Sequence, residues 1–371
     1  MVKINFFGDF FAYHPQNIKL DNTLEDSIKE SNLSVCNFEG PIKITGKALP
    51  KSGPNISQPI ESATILKNLG FNVFSLGNNH AMDFGSDDLL QTIGILGENN
   101  IVGAGTTEKA YQAIIKRINN ISIGFIAASH NEFGMCYSNR ESKGVAWIND
   151  PQIDQLIIQY RSIVDFIFIL PHAGIENIDI PLPLWRERYK TFIDLGVDAV
   201  IASHPHVPQG KEIYKGKTIY YSLGNFFFER MNGKDPRHRY SIMVQATIDD
   251  SGTLSVSDRV IKREDFSLTT LTQKDSEQYL QPLNDCLSNE HAYSNRLKYI
   301  IDDLWKNVYK KQIKYSLRKI DLSYGIIHNL KMIIKGLLHK KDNLLLLNCF
   351  QCESHRWIIE AALKQEQNEK N

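Results

Sequence analysis

Five times between residues 4 and 206, a short apolar run of strand length ends in polar residues able to bind a metal ion. Ile4–Phe7 runs into Gly8-Asp9. Ser34–Phe38 runs into Glu39-Gly40-Pro41, with Asn37 two residues before the glutamate. Phe71–Leu76 leads to Gly77-Asn78-Asn79-His80, Asp165–Leu170 to Pro171-His172-Ala173-Gly174, and Ala199–Ala202 to Ser203-His204-Pro205-His206. Helical stretches separate these runs, and Asp165–Leu170 is almost wholly apolar, as a strand covered on both faces must be. The alternation predicts an α/β fold with parallel strands. Ligands of such sheets bind in the crevice outside the strand carboxyl ends. One rim would then gather one Asp, one Glu, several Asn and four His.

The predicted helices are Thr23–Asn32 behind an Asn or Thr cap, Pro59–Leu69 ending at Gly70, residues 86–98, Pro151–Arg161, and Leu184–Leu195 followed by Gly196. Ile121–Ala127 reads as a further strand. From Lys211 the pattern changes to consecutive strands, Thr218–Ser222, Ser241–Ile248 and Leu254–Lys262, joined by turn clusters such as Asp249-Asp250-Ser251-Gly252; these predict an antiparallel layer. Beyond about residue 270 glycine and proline nearly vanish, which predicts a helical appendage without a chemical motif. Residues 1–268 and 269–371 are therefore expected to form two regions.

Charge separates the same two regions. The chain balances 42 Lys and Arg against 42 Asp and Glu, which argues against nucleic acid as a partner. The zero is a cancellation: residues 290–341 carry twelve basic against four acidic side chains. Within them Ile326, Ile327, Leu330, Ile333, Ile334, Leu337 and Leu338 share one helical face, with lysines on the rest. Such a face either docks on neighbouring helices or lies on an anionic membrane, so residues 325–341 are a candidate peripheral membrane or assembly contact. The first nine residues lack a signal-peptide core, no run is long enough to span a membrane, and the five cysteines are odd in number and scattered. The expected location is cytoplasmic, possible contact with the inner membrane face included. Cys349 and Cys352 form a C-x-x-C with no second pair, a spacing that reads as coincidence rather than a redox or zinc motif.

The ligand set itself indicates chemistry. A bridging carboxylate with mixed imidazole, amide and carboxylate donors holds two divalent ions about 3.5–4 Å apart. Without cysteine in the set, oxygen and nitrogen donors suit Mn²⁺, Fe²⁺ or Zn²⁺. His204 and His206, on either side of Pro205, are expected in an extended turn that aims both rings to one side.

Gly8-Asp9, Asn37-Phe38-Glu39-Gly40-Pro41, Asn78-Asn79-His80-Ala81-Met82-Asp83-Phe84-Gly85, His172-Ala173-Gly174-Ile175-Glu176, Ser203-His204-Pro205-His206-Val207 and Tyr221-Ser222-Leu223-Gly224-Asn225-Phe226 together resemble the CapA family, across roughly residues 1–230 and in the same order. That family is named for poly-γ-glutamate capsule synthesis and is related to calcineurin-like metallophosphoesterases. The resemblance implies a four-layer α/β/β/α sandwich, with a two-metal site at the sheet edge. It implies that Asp9 and His206 bind the first ion, that Glu39 bridges, and that Asn79, His172 and His204 bind the second. His80 would be the general acid or transition-state stabiliser, oriented by Asp83. Asn37, Asn78, Glu176 and Asn225 would touch substrate or support the ligands. Related phosphoesterases carry Asp-x-His at the first strand, whereas Asp9 is followed here by Phe10 and Phe11, so one imidazole is missing.

Two functions follow from the resemblance. One is a metal-dependent hydrolase or transferase of a bacterial capsule or exopolymer pathway (poly-γ-glutamate or polysaccharide), acting on a phosphoester or glutamyl amide. The other is a non-catalytic accessory component of polymer synthesis that keeps the fold with a degenerate metal site.

Overall fold

The computed structural model describes residues 1–229, 235–316 and 342–368, with residues 325 and 330. Two twisted sheets stack face to face. The first has nine strands. At its centre Val2–Phe11 pairs in parallel with Leu33–Phe38, which continues in parallel to Val73–Ser75 and Ile101–Val102. On its other side it meets Tyr240–Ile248, Leu254–Glu264 and Ser267–Thr270 in antiparallel succession, and the two-residue strand Lys19–Leu20 closes that edge. The second sheet has six strands, with Phe166–His172 between Ile121–Ser129 and Ala199–Ile201, all parallel.

The parallel strands are apolar on both faces because both faces are covered. Between the sheets Ile4, Phe6 and Val35 of the first meet Phe125, Phe168 and Ile201 of the second. The Phe6 and Phe168 rings lie 5.0 Å apart. Outside the first sheet Phe7, Phe38 and Phe74 pack on the helices Asn22–Glu30, Ile60–Leu69 and Ser86–Leu96. Outside the second sheet Ile126, Ile169 and Val200 pack on Pro151–Arg161, Pro183–Leu195 and the helices beyond residue 270. The chain is thus the four-layer α/β/β/α sandwich with added C-terminal helices that its motifs imply.

Several predicted elements form with small shifts. Pro151–Arg161 has the expected bounds, with Asp150 accepting from the Gln152 amide as its cap. Ile60–Leu69 stops at Gly70, whose φ of 110° is the left-handed conformation that a helix end favours in glycine. The first helix is capped by Asp21 rather than by Asn22 or Thr23, its carboxylate accepting from the Leu24 amide.

The expected antiparallel layer is only partly formed. Tyr240–Ile248 and Leu254–Glu264 do pair, but Lys217–Tyr220 joins the second sheet, parallel to Ala199–Ile201. After it the chain crosses between sheets at residues 221–224, and the short strand Asn225–Phe228 pairs in parallel with Val2–Phe11. Alternation marks which face of a strand is buried, not which neighbour it takes, so both pairings share one sequence pattern.

The crossing sets a steric demand at Gly8. A Cβ there would stand 1.8 Å from the Gly224 carbonyl oxygen, a backbone atom that itself accepts from the Asp9 amide. Gly8→Ala is expected to cost about 3 kcal/mol, read as a lower denaturant midpoint; an unchanged midpoint would show that the two strands separate freely here.

Among the described residues no helix is long and apolar enough to cross a membrane. The basic amphipathic stretch 325–341 lies outside the described residues, apart from Gly325 and Leu330.

Candidate metal centre

Local backbone irregularity at each strand end places the polar side chains. Asp9 sits where the pairing of the first strand shifts register with Leu33–Phe38 and with Asn225–Phe228. A bulge of this kind re-aims one side chain out of the strand's alternation. Asn79 and His80 occupy the turn after Val73–Ser75, and His172 is the last residue of its strand. His204 and His206 are not in an extended turn: both are left-handed, with φ of 104° and 61°. Held this way, each non-glycine residue costs about 1–3 kcal/mol, a strain typical of ligand clamps. The expected convergence of the two rings is achieved by that strain, and their centroids lie 6.1 Å apart.

Two groups of donors result. His172 Nε2 lies 3.1 Å from Asn79 Oδ1 and 3.1 Å from His204 Nδ1. Donors bound about 2.1 Å from one ion stand about 3.0–3.4 Å apart. Beside them, one donor atom each from Asp9, Glu39 and His172 falls within 4.8 Å of the others. His206 Nδ1 donates to Asn225 Oδ1 at 2.9 Å, which leaves Nε2 facing Glu39 Oε1 at 3.6 Å. Glu39 is wholly buried, and its Oε1 has no hydrogen-bond partner among the described residues. A buried carboxylate oxygen that accepts no hydrogen bond is costly unless positive charge lies close to it. The donor set therefore fits divalent ions.

Around the donors lie the groups that orient them. Asn37 donates to Asp9 Oδ1 at 2.8 Å and to Glu39 Oε2 at 3.3 Å, and its own oxygen accepts from Asn78 at 3.0 Å. Asn78 also accepts from the His80 amide. His80 Nδ1 is 2.6 Å from Asp83 Oδ2, so the shared proton sits on that nitrogen, and Nε2 points past Glu39 Oε1 at 3.9 Å. Asp83 in turn pairs with buried Lys51 and accepts from the Ile56 amide. Glu176 is exposed on the cleft wall.

Burial makes the charges interact strongly. Burial alone would raise Asp9, but His206, His172 and Asn37 outweigh it and hold the carboxyl below its usual range. Burial, opposed by His206 and reinforced by Asp9 and Glu176, raises Glu39 well above the usual value. His206 would be lowered by burial, yet the Glu39 and Asp9 carboxylates push it up to about 10. His172 falls to about 3 through burial and the neighbouring imidazoles, in spite of Asp9. Burial and the adjacent rings also lower His204 strongly. Neutral imidazoles on one side and a reluctant carboxyl on the other suit a site organised for cations.

The position of the missing imidazole, Phe11, is occupied by a small apolar cluster with Ile56 and Phe228. The Phe228 ring lies edge-on to His206 at 4.7 Å.

A cleft of about 640 Å³ opens over this centre, reaching Asn79, His80, Glu176 and His204. Its opposite wall includes Arg296, Tyr309 and His355, so the appended helices carry part of the site although no motif marked them. His130 and Glu132 also went unmarked. Glu132 accepts from Asn79 Nδ2 at 2.8 Å, and the His130 ring packs 4.4 Å from that of His204. The signal existed: Ile121–Ala127 also ends in polar residues, Ser129-His130-Asn131-Glu132, a sixth instance of the opening pattern.

Sequence comparison places these features in a known family. The family model described as bacterial capsule synthesis protein PGA_cap matches residues 11–230. The chain is 29% identical over 239 residues to the PGA biosynthesis protein CapA of Bacillus subtilis, covering 62% of this chain and 61% of that one. It is 29% identical over 236 residues to the capsule biosynthesis protein CapA of Bacillus anthracis, covering 61% and 57%. A probable polyglutamine synthesis accessory protein of Mycobacterium tuberculosis matches at 24% over 253 residues, covering 63% and 65%. The chain thus spans about six-tenths of the length of the curated relatives it matches. With the strand-end motifs, the layered sheets and the family match in agreement, the chain belongs to the bacterial capsule synthesis (PGA_cap) family.

Proposed function

We propose that this chain is a metal-dependent hydrolase or transferase of a capsule or poly-γ-glutamate pathway, acting on a phosphoester or a glutamyl amide. The observation that carries this reading is Glu39 Oε1, buried without a hydrogen-bond partner among the described residues and lying 3.9 Å from His80 Nε2 and 3.6 Å from His206 Nε2. Asp9, Glu39 and His206 would hold one ion, and Asn79, His172 and His204, with Glu39 bridging, a second. Bound there, divalent ions supply Lewis-acid charge and lower the pKa of a coordinated water.

The chain's own residues would supply the rest. Asp83 fixes the His80 ring through Nδ1, so Nε2 faces the cleft and is the atom at which a proton is exchanged with the leaving group. Lys51 neutralises Asp83 and keeps that carboxylate in place. The appended helices wall the cleft opposite His80 and limit water around the reacting centre.

The accessory reading is favoured by Phe11, which fills the place of an imidazole with an apolar ring. The name of the M. tuberculosis relative is in the same sense. The full chain, loaded with Mn²⁺, separates the two readings against phosphomonoesters, phosphodiesters and γ-glutamyl amides. Chelator-sensitive turnover is expected; metal binding without turnover of any of the three would favour the accessory role.

A further inference from the structure

We propose that Glu132 is a positioning residue for the metal centre: it decides which end of the Asn79 amide is presented to a bound ion. The inference rests on the reading of Asn79 as a ligand. A side-chain amide has two ends of almost equal size, and only the oxygen end binds a cation. Turned over, Asn79 would aim N–H groups at the centre and repel the ion. Glu132 Oε2 accepts from Asn79 Nδ2 at 2.8 Å, which leaves Oδ1 on the side of His172 Nε2, 3.1 Å away and among the other donors. A carboxylate accepts and does not donate, so it tolerates one of the two orientations.

The carboxylate is itself held. Glu132 is buried, and its other oxygen, Oε1, turns to the His130 and His355 rings, 3.7 Å from one Nε2 and 3.8 Å from the other. Gln351 Nε2 donates to the Glu132 carbonyl oxygen at 2.6 Å and to Asn131 Oδ1 at 3.0 Å. The Asn131 amide donates to Glu353 Oε2 at 2.7 Å. Glu353 is buried too, and its Oε1 accepts from the Trp147 indole at 2.5 Å and from Asn149 at 3.1 Å. Two residues at the junction of the helices Asp342–Gln351 and Glu353–Asn368 thus fix the backbone on which Glu132 stands.

Groups that orient a ligand without touching the ion are typically worth 10–100-fold in metal affinity. The strand Ile121–Ser129 brings no ligand of its own to either ion, yet through Glu132 its end reaches the centre. The appended helices reach it by the same path. None of this depends on whether the two-ion centre is catalytic.

A double-mutant cycle tests it, read by titration calorimetry of the metal-free full chain with Mn²⁺. Glu132→Ala is expected to bind one equivalent about 10–100-fold more weakly than the wild type. Glu132→Gln, which still offers an oxygen to Asn79, should recover most of that loss. Asn79→Ala should weaken the same equivalent. Adding Glu132→Ala to it should change the affinity by less than about twofold, because a positioning effect needs the residue that is positioned. A merely structural loss would instead multiply with that of Asn79→Ala. Losses that multiply, an equal loss in Glu132→Gln, or wild-type affinity in Glu132→Ala would overturn the proposal and leave Asn79 a ligand. Wild-type affinity in Asn79→Ala would remove Asn79 from the ligand set, and the inference with it.

Discussion

His80→Asn is expected to lower turnover by about 10²–10⁴-fold with little change in bound metal, the usual worth of one positioned proton-transfer group. The reason is geometric. Asparagine can still offer an amide N–H to Asp83, so Lys51 and Asp83 stay paired and the buried turn stays intact. What disappears is Nε2, the one atom of the pair that faces the cleft. Asp83→Asn should behave differently. It leaves the Lys51 ammonium buried without its counter-charge, a change that costs about 3–5 kcal/mol, so stability and turnover fall together. Parallel measurement of denaturant midpoints and turnover distinguishes the two. If His80→Asn retained wild-type turnover on a substrate of the wild type, His80 would have no part in proton transfer.

Glu39→Gln is expected to weaken divalent-ion binding by at least about 100-fold, a larger loss than the 10–100-fold typical of residues that only support a ligand. The carboxylate lies 3.9 Å from His80 Nε2 and 3.6 Å from His206 Nε2 and is adjacent to Asp9, so its charge serves both donor groups. Glutamine keeps the shape and loses the charge. In metal-free protein the same substitution should leave stability unchanged or higher, because it removes a buried carboxylate oxygen that has no partner. Function and stability then move in opposite directions, as expected where a site is held at the expense of the fold. Isothermal titration with Mn²⁺ and chemical denaturation in chelator read the two effects. Equal metal affinity in both proteins would remove Glu39 from the ligand set.

Much of this was legible in the residue order. Asp9, Glu39, Asn79, His80, His172, His204 and His206 each follow an apolar run, Asn37 lies near the end of one, and all are buried. Parallel strands explain why: successive strands deliver their carboxyl ends to the same edge, so position in the chain becomes position at the rim. His130 and Glu132 obeyed the same rule and were missed because their strand carries no other ligand motif. The geometry of His204 and His206 was not legible. An extended turn and a left-handed one have the same sequence, and only the surrounding sheet ends impose the strained form.

Sequence by itself determined the layered α/β class, the edge where chemistry gathers and the identity of most donors there, because burial pattern and strand order are local properties. Tertiary structure alone decided three things: the sheet to which Lys217–Tyr220 belongs, the meeting of Cys352 and His355 with His130 and Glu132, and the closing of the cleft by the appended helices. Each depends on contacts between residues far apart in the chain. Cys352 and His130 are separated by 222 positions, and no periodicity or spacing records which distant surface a buried face will cover. The charge cancellation between the two regions hinted that they differ, but their packing makes them share one site.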